Sequence, residues 1–356
     1  MKSRERVINA IEHDKLDRLP VDGWMRPETS IALREHFGVD SDEEVMKILG
    51  FDIRMDQMDP PKSFEPAYVH PVQKLSKDYE NLYATMFDEW GIGRKAGSTG
   101  EYWHYSYHPL QHVSLDEYEL PNLGAEGRFD RAASLAKQYR SEYAVAGRTV
   151  MGIFEQSLAL RGYRTFLRDL YTNPNYSNAL LDRVLEWKME HSMRLADLGV
   201  DIIEAGDDLG IQTGLMIPPR LIKEYLIPRY KRWFSALKRK DVYIFFHSDG
   251  KIEQIIPDLI ETGIDILNPI QPECMNPAQL KELYGEELTF HGTISVQKTL
   301  PFGNIEDVRN EVLERISTVG YNGGLIIAPT HQVDKHVPLA NILALYEAAG
   351  SMNSLS

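Results

Sequence analysis

From residue 149 onward the chain alternates short apolar runs with longer amphipathic segments, and nothing else in the sequence limits its fold so tightly. Runs of that kind, parted by helix-length segments, build βα units and a parallel sheet. The strand candidates are Thr149–Phe154, Val200–Ala205, Val242–Phe246, Asp265–Pro269, Leu288–His291 and Leu325–Ala328, each bounded by Gly, Pro, Asn or Asp. Between and after them the pattern predicts helices over Asn175–Leu198, Pro219–Lys240, Ile252–Glu261, Asn276–Tyr284, Ile305–Val319 and Leu339–Ala349. Pro228 is expected to divide the second of these, because proline removes a helix hydrogen bond. Leu19–Trp24 and Phe51–Met55 supply two earlier strands, each linked to helical sequence such as Glu28–Phe37.

Eight βα units are the content of a (β/α)8 TIM barrel, which runs to about 250 residues before insertions. The expectation is therefore an α/β chain, a single TIM-barrel domain over residues 1–356. The surplus is an N-terminal helical extension, Ser3–His13, and an aromatic, polar insertion over roughly residues 60–142. Within that insertion Thr85–Lys95 and Glu101–Pro109 read as a hairpin-like excursion. A doubly wound open sheet is the rival architecture, but no GxGxxG turn follows an early strand.

Composition narrows the function. The 53 acidic residues outnumber 39 basic ones, and a net charge of −14 disfavours nucleic acid, whose phosphates want a basic face. Lys231–Arg232 and Lys238–Arg239–Lys240 sit at helical spacing and read as a helix's solvated side and last turn. No apolar run approaches the about 18 residues of a membrane span. The charged N-terminus lacks an apolar signal region, and Cys274 is the lone cysteine. Together these predict a cytoplasmic protein with no membrane or nucleic-acid partner.

A barrel places its reactive groups at the C-terminal ends of its strands, so the residues following each apolar run matter most. Trp24 and Arg26 follow the first, and Arg26 suits a ligand carboxylate or phosphate, or else a pairing with Glu28. Glu155 and Gln156 follow another; Glu204, Asp207 and Asp208 come after VDII; Asn268 and Gln271 follow IDIL; His291 follows LTF; and His331 follows LIIAPT. Trp24, Arg26, Gln156, Asn268 and Gln271 are candidate substrate contacts. Glu204, Asp207, Asp208 and His331 are candidate catalytic groups, a crowded strand-end carboxylate being a natural proton donor. Of the adjacent pair Asp207 and Asp208, one is expected to face the cavity and the other to cap or pair within the loop.

The sharpest segment is FFHSDG. His247 and Asp249 lie two apart on an extended chain, so both point the same way and can reach one divalent metal. The competing reading has Asp249 capping a helix that starts near Lys251. Cys274, in QPECMNP, is either a thiolate ligand or an inert buried thiol. His104, His108 and His112 recur every four residues, but Pro109 breaks the helix such a metal comb would need, leaving surface or lid residues.

The stretches SRERVINAIEHDKLDRLPVDGW, HSDG, NPIQPE, GTISVQKTLPFG and GGLIIAPTHQVDKHVPLANI together resemble the uroporphyrinogen decarboxylase superfamily over nearly the whole chain. The resemblance implies a TIM barrel and two kinds of enzyme. One decarboxylates the acetate groups of uroporphyrinogen III without a cofactor. The other comprises zinc-dependent methyltransferases that move methyl groups between a substrate, a corrinoid protein and a thiol or folate acceptor. Where the decarboxylases carry an arginine-rich AGRYLPE stretch, this chain reads DGWMRPE and keeps only Arg26. Where the methyltransferases carry His-x-Cys and a second Cys, His247 matches, Asp249 replaces the first Cys, and Thr330–His331 occupies the region of the second. The resemblance therefore implies a divergent corrinoid-dependent methyltransferase or O-demethylase component, with zinc held by His247 and Asp249 or Cys274, and a corrinoid carried by a partner protein. A cofactor-free decarboxylase is the alternative. The aromatic insertion is a candidate homodimer contact.

Overall fold

The computed structural model describes residues 1–64, 85–96 and 103–352. Seven parallel strands form one sheet in the order Ile53–Gln57, Ala144–Arg148, Ile202–Gly206, Tyr243–His247, Ile266–Asn268, Thr289–His291, Leu325–Ile326. The segment through Val21 and Trp24 closes it. On one side Asp22 N donates to Ile327 O at 3.0 Å and Ile327 N to Pro20 O at 2.9 Å; on the other, Asp52 N donates to Val21 O at 2.9 Å. An open sheet has two free edges, so this double pairing establishes a closed TIM barrel and excludes the doubly wound rival.

Period-two alternation divides the strand residues between two environments. Ile53, Ala144, Ala146, Ile202, Phe245, Ile266 and Ile326 point into the barrel. The intervening residues, such as Val145, Ile203, Ile244, Phe246, Leu267 and Phe290, pack outward against the helices. Val7 and Ile11 from the helix Ser3–Ile11 join the inner cluster and plug its N-terminal end. The expected N-terminal extension is thus a plug.

Three sequence expectations need correction. The strand predicted at Thr149–Phe154 is Ala144–Arg148, and Ile153 already begins a helix. The sequence AVAGR is small and weakly β-forming, whereas TVMGIF carries the branched, apolar signal. Pro228 does not split its helix; a π turn over Ile222–Leu226 precedes it and Ile227–Lys238 continues. The wider turn absorbs the proline that a regular helix could not. The insertion is also shorter than residues 60–142, since the helix Asp130–Tyr139 packs on the strand Ile53–Gln57 as one of the barrel's own. The excursion within it is a three-stranded antiparallel sheet, Thr85–Phe87, Gly93–Ala96 and Trp103–Tyr107, and the predicted positions between and before these fall partly outside the described residues. Among the described residues, no helix is long and apolar enough to cross a membrane.

Candidate active site at the barrel mouth

The alternation that makes the barrel core apolar turns polar at its C-terminal end. Two residues beyond Ile202, Phe245 and Ile266 come Glu204, His247 and Asn268, and His291 joins them from the next strand. Trp24 lies among them, its ring centroid 5.9 Å from that of His247, 6.0 Å from His291 and 6.4 Å from His331. Gly206 makes room for this layer: a Cβ there would sit 2.0 Å from the His247 carbonyl oxygen.

His247 is held from behind. Its Nδ1 lies 2.6 Å from Asn268 Oδ1, Asn268 Nδ2 lies 2.7 Å from His291 Nδ1, and His291 Nε2 lies 3.1 Å from Asp22 Oδ2. Asp22 can only accept, so His291 carries its proton on Nε2 and accepts from the Asn268 amide at Nδ1. The amide oxygen then accepts from His247 Nδ1–H. This chain of three hydrogen bonds leaves His247 Nε2 with a free lone pair facing the mouth. That is the tautomer a metal ligand or base requires, fixed by the hydrogen bonds running back to Asp22.

His247, Asp249 and His331 each offer one ligand atom, and these atoms lie within 4.8 Å of one another. Among the described residues they form the only such group of three. Asp249 Oδ1 is buried with no hydrogen-bond partner among the described residues. Burial raises the Asp249 carboxyl above its usual range, with His247 opposing, and burial lowers His331. A carboxylate and two imidazoles around one point, with an orphaned oxygen, suit zinc's preference for nitrogen and oxygen ligands and leave a position for substrate. No cap at Lys251 is seen: a 3-10 turn begins only at Glu253, and its N-cap Ile252 receives no side-chain bond. Cys274 stands outside the group, its Sγ directed to Gln212 Oε1 at 3.4 Å, its thiol pushed up by burial and by Glu273 and Asp249. His331 takes the place that sequence reasoning offered to Cys274.

The adjacent acids separate as expected. Asp207 is fully buried and caps the helix Ile153–Arg161 from the neighbouring strand end, accepting from Phe154 N at 3.0 Å, Glu155 N at 2.7 Å and the Tyr230 hydroxyl at 2.6 Å. Three of its roughly four acceptor directions are thus taken up by the fold. Burial pushes it up to about 6, against those hydrogen bonds. Asp208 faces the mouth, Oδ1 3.6 Å from His247 Nε2, while accepting from Asp249 N at 2.9 Å. Glu204 is buried with its carboxylate on Arg148 at 3.3 Å, and Arg148 stacks over Trp24 at 4.8 Å. It anchors that cation.

Glu155 is the acid the candidate list left out. Burial first, then Asp208 and Asp207, raise its carboxyl well above the carboxylate range, against a backbone hydrogen bond from Asp208. Tyr105 and Tyr163 are pushed up by burial beside the same acids. The visible signal was its position directly after a strand run; the burial that matters depends on tertiary packing.

The remaining candidates fall in three places. Arg26 pairs with Asp334 at 3.4 Å on the rim, not with Glu28. Asn268 stands behind His247, and Gln271 Oε1 accepts from Gly250 N at 2.6 Å, so both shape the His247–Gly250 segment from outside. Gln156 is buried and faces a cavity beside the mouth. His108 Nδ1 lies 2.6 Å from Ala159 O and His112 stacks on Tyr107, so the histidine comb forms no metal group.

A closed parallel barrel with titratable side chains converging at its strand ends defines the class of TIM-barrel enzymes. The chain belongs to the uroporphyrinogen decarboxylase (URO-D) family, whose model matches residues 108–352. Among solved structures, a methyltransferase from Methanosarcina mazei is similar with a TM-score of 0.72 at 15% identity, over 98% of each chain. A D-psicose 3-epimerase from Clostridium cellulolyticum H10, solved with D-tagatose, aligns over 92% of this chain and 91% of its own with a TM-score of 0.40 at 9% identity. The first likeness bears on the fold, and the second is too loose to add to it. No curated protein matches the sequence.

Proposed function

We propose that the chain is a metal-dependent methyltransferase of this family, which moves a methyl group from a heteroatom of a small substrate to a corrinoid carried by a partner protein. The carrying observation is the group His247, Asp249 and His331, with Asp249 Oδ1 unpartnered and His247 Nε2 freed by the hydrogen bonds behind it. Zinc held there would supply a Lewis acid that polarises the leaving heteroatom. The fold likeness to a protein described as a methyltransferase supports the reading.

The chain's own residues divide the rest of the work. Asn268, His291 and Asp22 keep the His247 lone pair aimed at the mouth. Glu155, its carboxyl raised by burial and by Asp208, is the group placed to provide a proton. As the bond from methyl carbon to heteroatom breaks, the electron pair stays on the heteroatom, which takes the Glu155 proton. Glu155 is left as the carboxylate, and the methyl carbon passes to the acceptor. The open mouth is where a corrinoid domain would dock. Cofactor-free decarboxylation loses support because Arg26, the one arginine kept in DGWMRPE, is engaged by Asp334.

The test is a zinc titration followed by methyl transfer. Protein loaded with one equivalent of zinc is given cob(I)alamin and, in turn, methanol, methylamines and methoxybenzoates, with the cobalamin spectrum followed. Methylcobalamin should form with one of these donors, depend on zinc, and vanish in His247→Ala together with the bound metal. Failure to bind zinc, combined with turnover of uroporphyrinogen, would overturn the proposal.

A further inference from the structure

Beside the mouth lies a cavity of about 240 Å3, between the ends of the strands Ile53–Gln57 and Ala144–Arg148 and the helix Pro174–Asp197. Its polar lining is unusual for a folded interior. Gln156 and His191 are each only 3% exposed, yet Gln156 Nε2 and both ring nitrogens of His191 have no hydrogen-bond partner among the described residues. Buried polar groups are ordinarily paired, because leaving one unpaired costs its full desolvation. With Arg94 Nε, also buried and without a partner among the described residues, four such atoms around one cavity mark a place built for something that completes them.

Lys188 gives that something a charge. It lies one helical turn before His191, so the two share a face. Its ammonium is buried, donates to Thr149 O at 3.0 Å, and forms no ion pair among the described residues. The nearby Glu89 carboxylate is committed to Arg128, at 2.6 and 2.9 Å. Two of the three ammonium protons are therefore available to an acceptor. Arg94, at the edge, is already paired with Asp88 at 3.5 Å. The ammonium lies over the Trp90 and Trp187 rings at 5.8 and 5.4 Å, and the acids around it, Asp207, Glu155, Glu204 and Glu89, act on it from beyond ion-pair distance. One incoming negative charge in direct contact suits it, which favours a carboxylate over a phosphate dianion. Trp90, Trp187 and Met58 form the apolar walls.

We propose that this cavity binds a small monocarboxylic acid with an apolar body, its carboxylate received by Lys188, Gln156 and His191. Gln156 directly follows Glu155 in the chain, so the site adjoins the candidate proton donor. The identification of that acid as the methyl donor rests on the methyl-transfer reading above; the binding does not.

The experiment uses the full chain, freed of metal by chelation, so that its outcome is separate from zinc or methyl transfer. Benzoate is the probe, with benzamide and inorganic phosphate as comparators, followed by calorimetry. Benzoate should bind saturably, and both comparators at least about ten-fold more weakly, as expected when an ionic hydrogen bond is lost. Gln156→Glu places a second carboxylate in the receiving position, and Lys188→Met removes the cation at similar volume; each should weaken benzoate by about ten-fold or more. A measurement on the unaltered protein guards against misfolded variants: benzoate should shift the ring nitrogen resonances of His191 in a 15N-histidine spectrum. Absence of saturable benzoate binding, equal binding of benzamide, or an unmoved His191 would overturn the proposal.

Discussion

The two sides of the barrel mouth are built on opposite plans. On the side of His247 and His331, the functional atoms are few, and His247 is braced by a complete chain of hydrogen bonds, from Asp22 through His291 and Asn268. On the side of Lys188 and His191, helix residues bring polar atoms whose bonds the described residues leave unmade: Gln156 Nε2, both His191 ring nitrogens, and an ammonium with a single bond to Thr149 O. The first arrangement fixes direction and suits a small ion that tolerates little error in ligand geometry. The second supplies charge and unmade hydrogen bonds, and suits an organic ligand that brings its own acceptors. Preorganisation is completed by the protein in one case and by the ligand in the other.

If that contrast is right, the metal side is sensitive to residues that touch no metal. His291→Gln removes the link between Asn268 and Asp22 and lets the Asn268 amide turn, so His247 can place its proton on Nε2. Zinc affinity should fall by about 10- to 100-fold, the range for lost outer-shell partners. A competition titration against a chromophoric chelator reads the affinity, and the His247 ring nitrogen shifts report the tautomer. Unchanged affinity with an unchanged tautomer would show that strand geometry alone orients His247. Benzoate binding should be unaffected, because none of these residues lines the cavity.

How the chain announces these two sides also differs. Barrel architecture is legible because strand-forming runs repeat locally, and the strand that escaped, Ala144–Arg148, did so because close packing there favours small residues. His247 and Asp249 are legible as a pair because period two puts them on one side of a single run. Their supports are not, because Asp22 and His291 stand 269 positions apart and meet only when the barrel closes. His331 was seen as a strand-end residue but not as the third ligand, since only the closed barrel sets it beside Asp249. Lys188 and His191 lie inside a long helix whose pattern reads as core, and burial alone distinguishes them. Gln156 was named from its place after a strand run, and the cavity gives that position a reason.

The adjacent acids Asp207 and Asp208 test the contrast in a single dipeptide. Asp207→Asn keeps one acceptor oxygen but sets an amide NH2 against Phe154 N–H and the Tyr230 hydroxyl, and removes the negative charge from the helix N-terminus. The expected loss is about 2 kcal/mol of stability, from a cap and a charged hydrogen bond together. Asp208→Asn, on a half-exposed residue whose Oδ1 can still accept from Asp249 N, should stay within about 0.5 kcal/mol. Urea unfolding of the two variants separates them. Equal effects would mean that Asp207 is not the structural member of the pair.

The smallest effect is in pH, and it bears only on the cavity. Burial lowers Lys188 to about 8, while Asp207, Glu155, Glu204 and Glu89 pull it back up. His191 is pushed well below its usual value by burial and by the Lys188 and Arg128 charges, so it is neutral at pH 7 and above. The ammonium is therefore the group on the receiving face that changes charge between pH 7 and 9, and it loses its proton as pH rises. The probe's carboxylate stays ionised throughout, since carboxyl groups titrate near about 4. Benzoate affinity should accordingly be nearly full at pH 7 and below, and fall about ten-fold between pH 7 and pH 9 as the charged fraction of Lys188 declines. In Lys188→Met the residual binding should be flat over the same interval. A flat profile in the unaltered protein would mean that the carboxylate is received by neutral groups alone, and the cavity would then be completed like the metal side, by fixed dipoles rather than by a charge awaiting its partner.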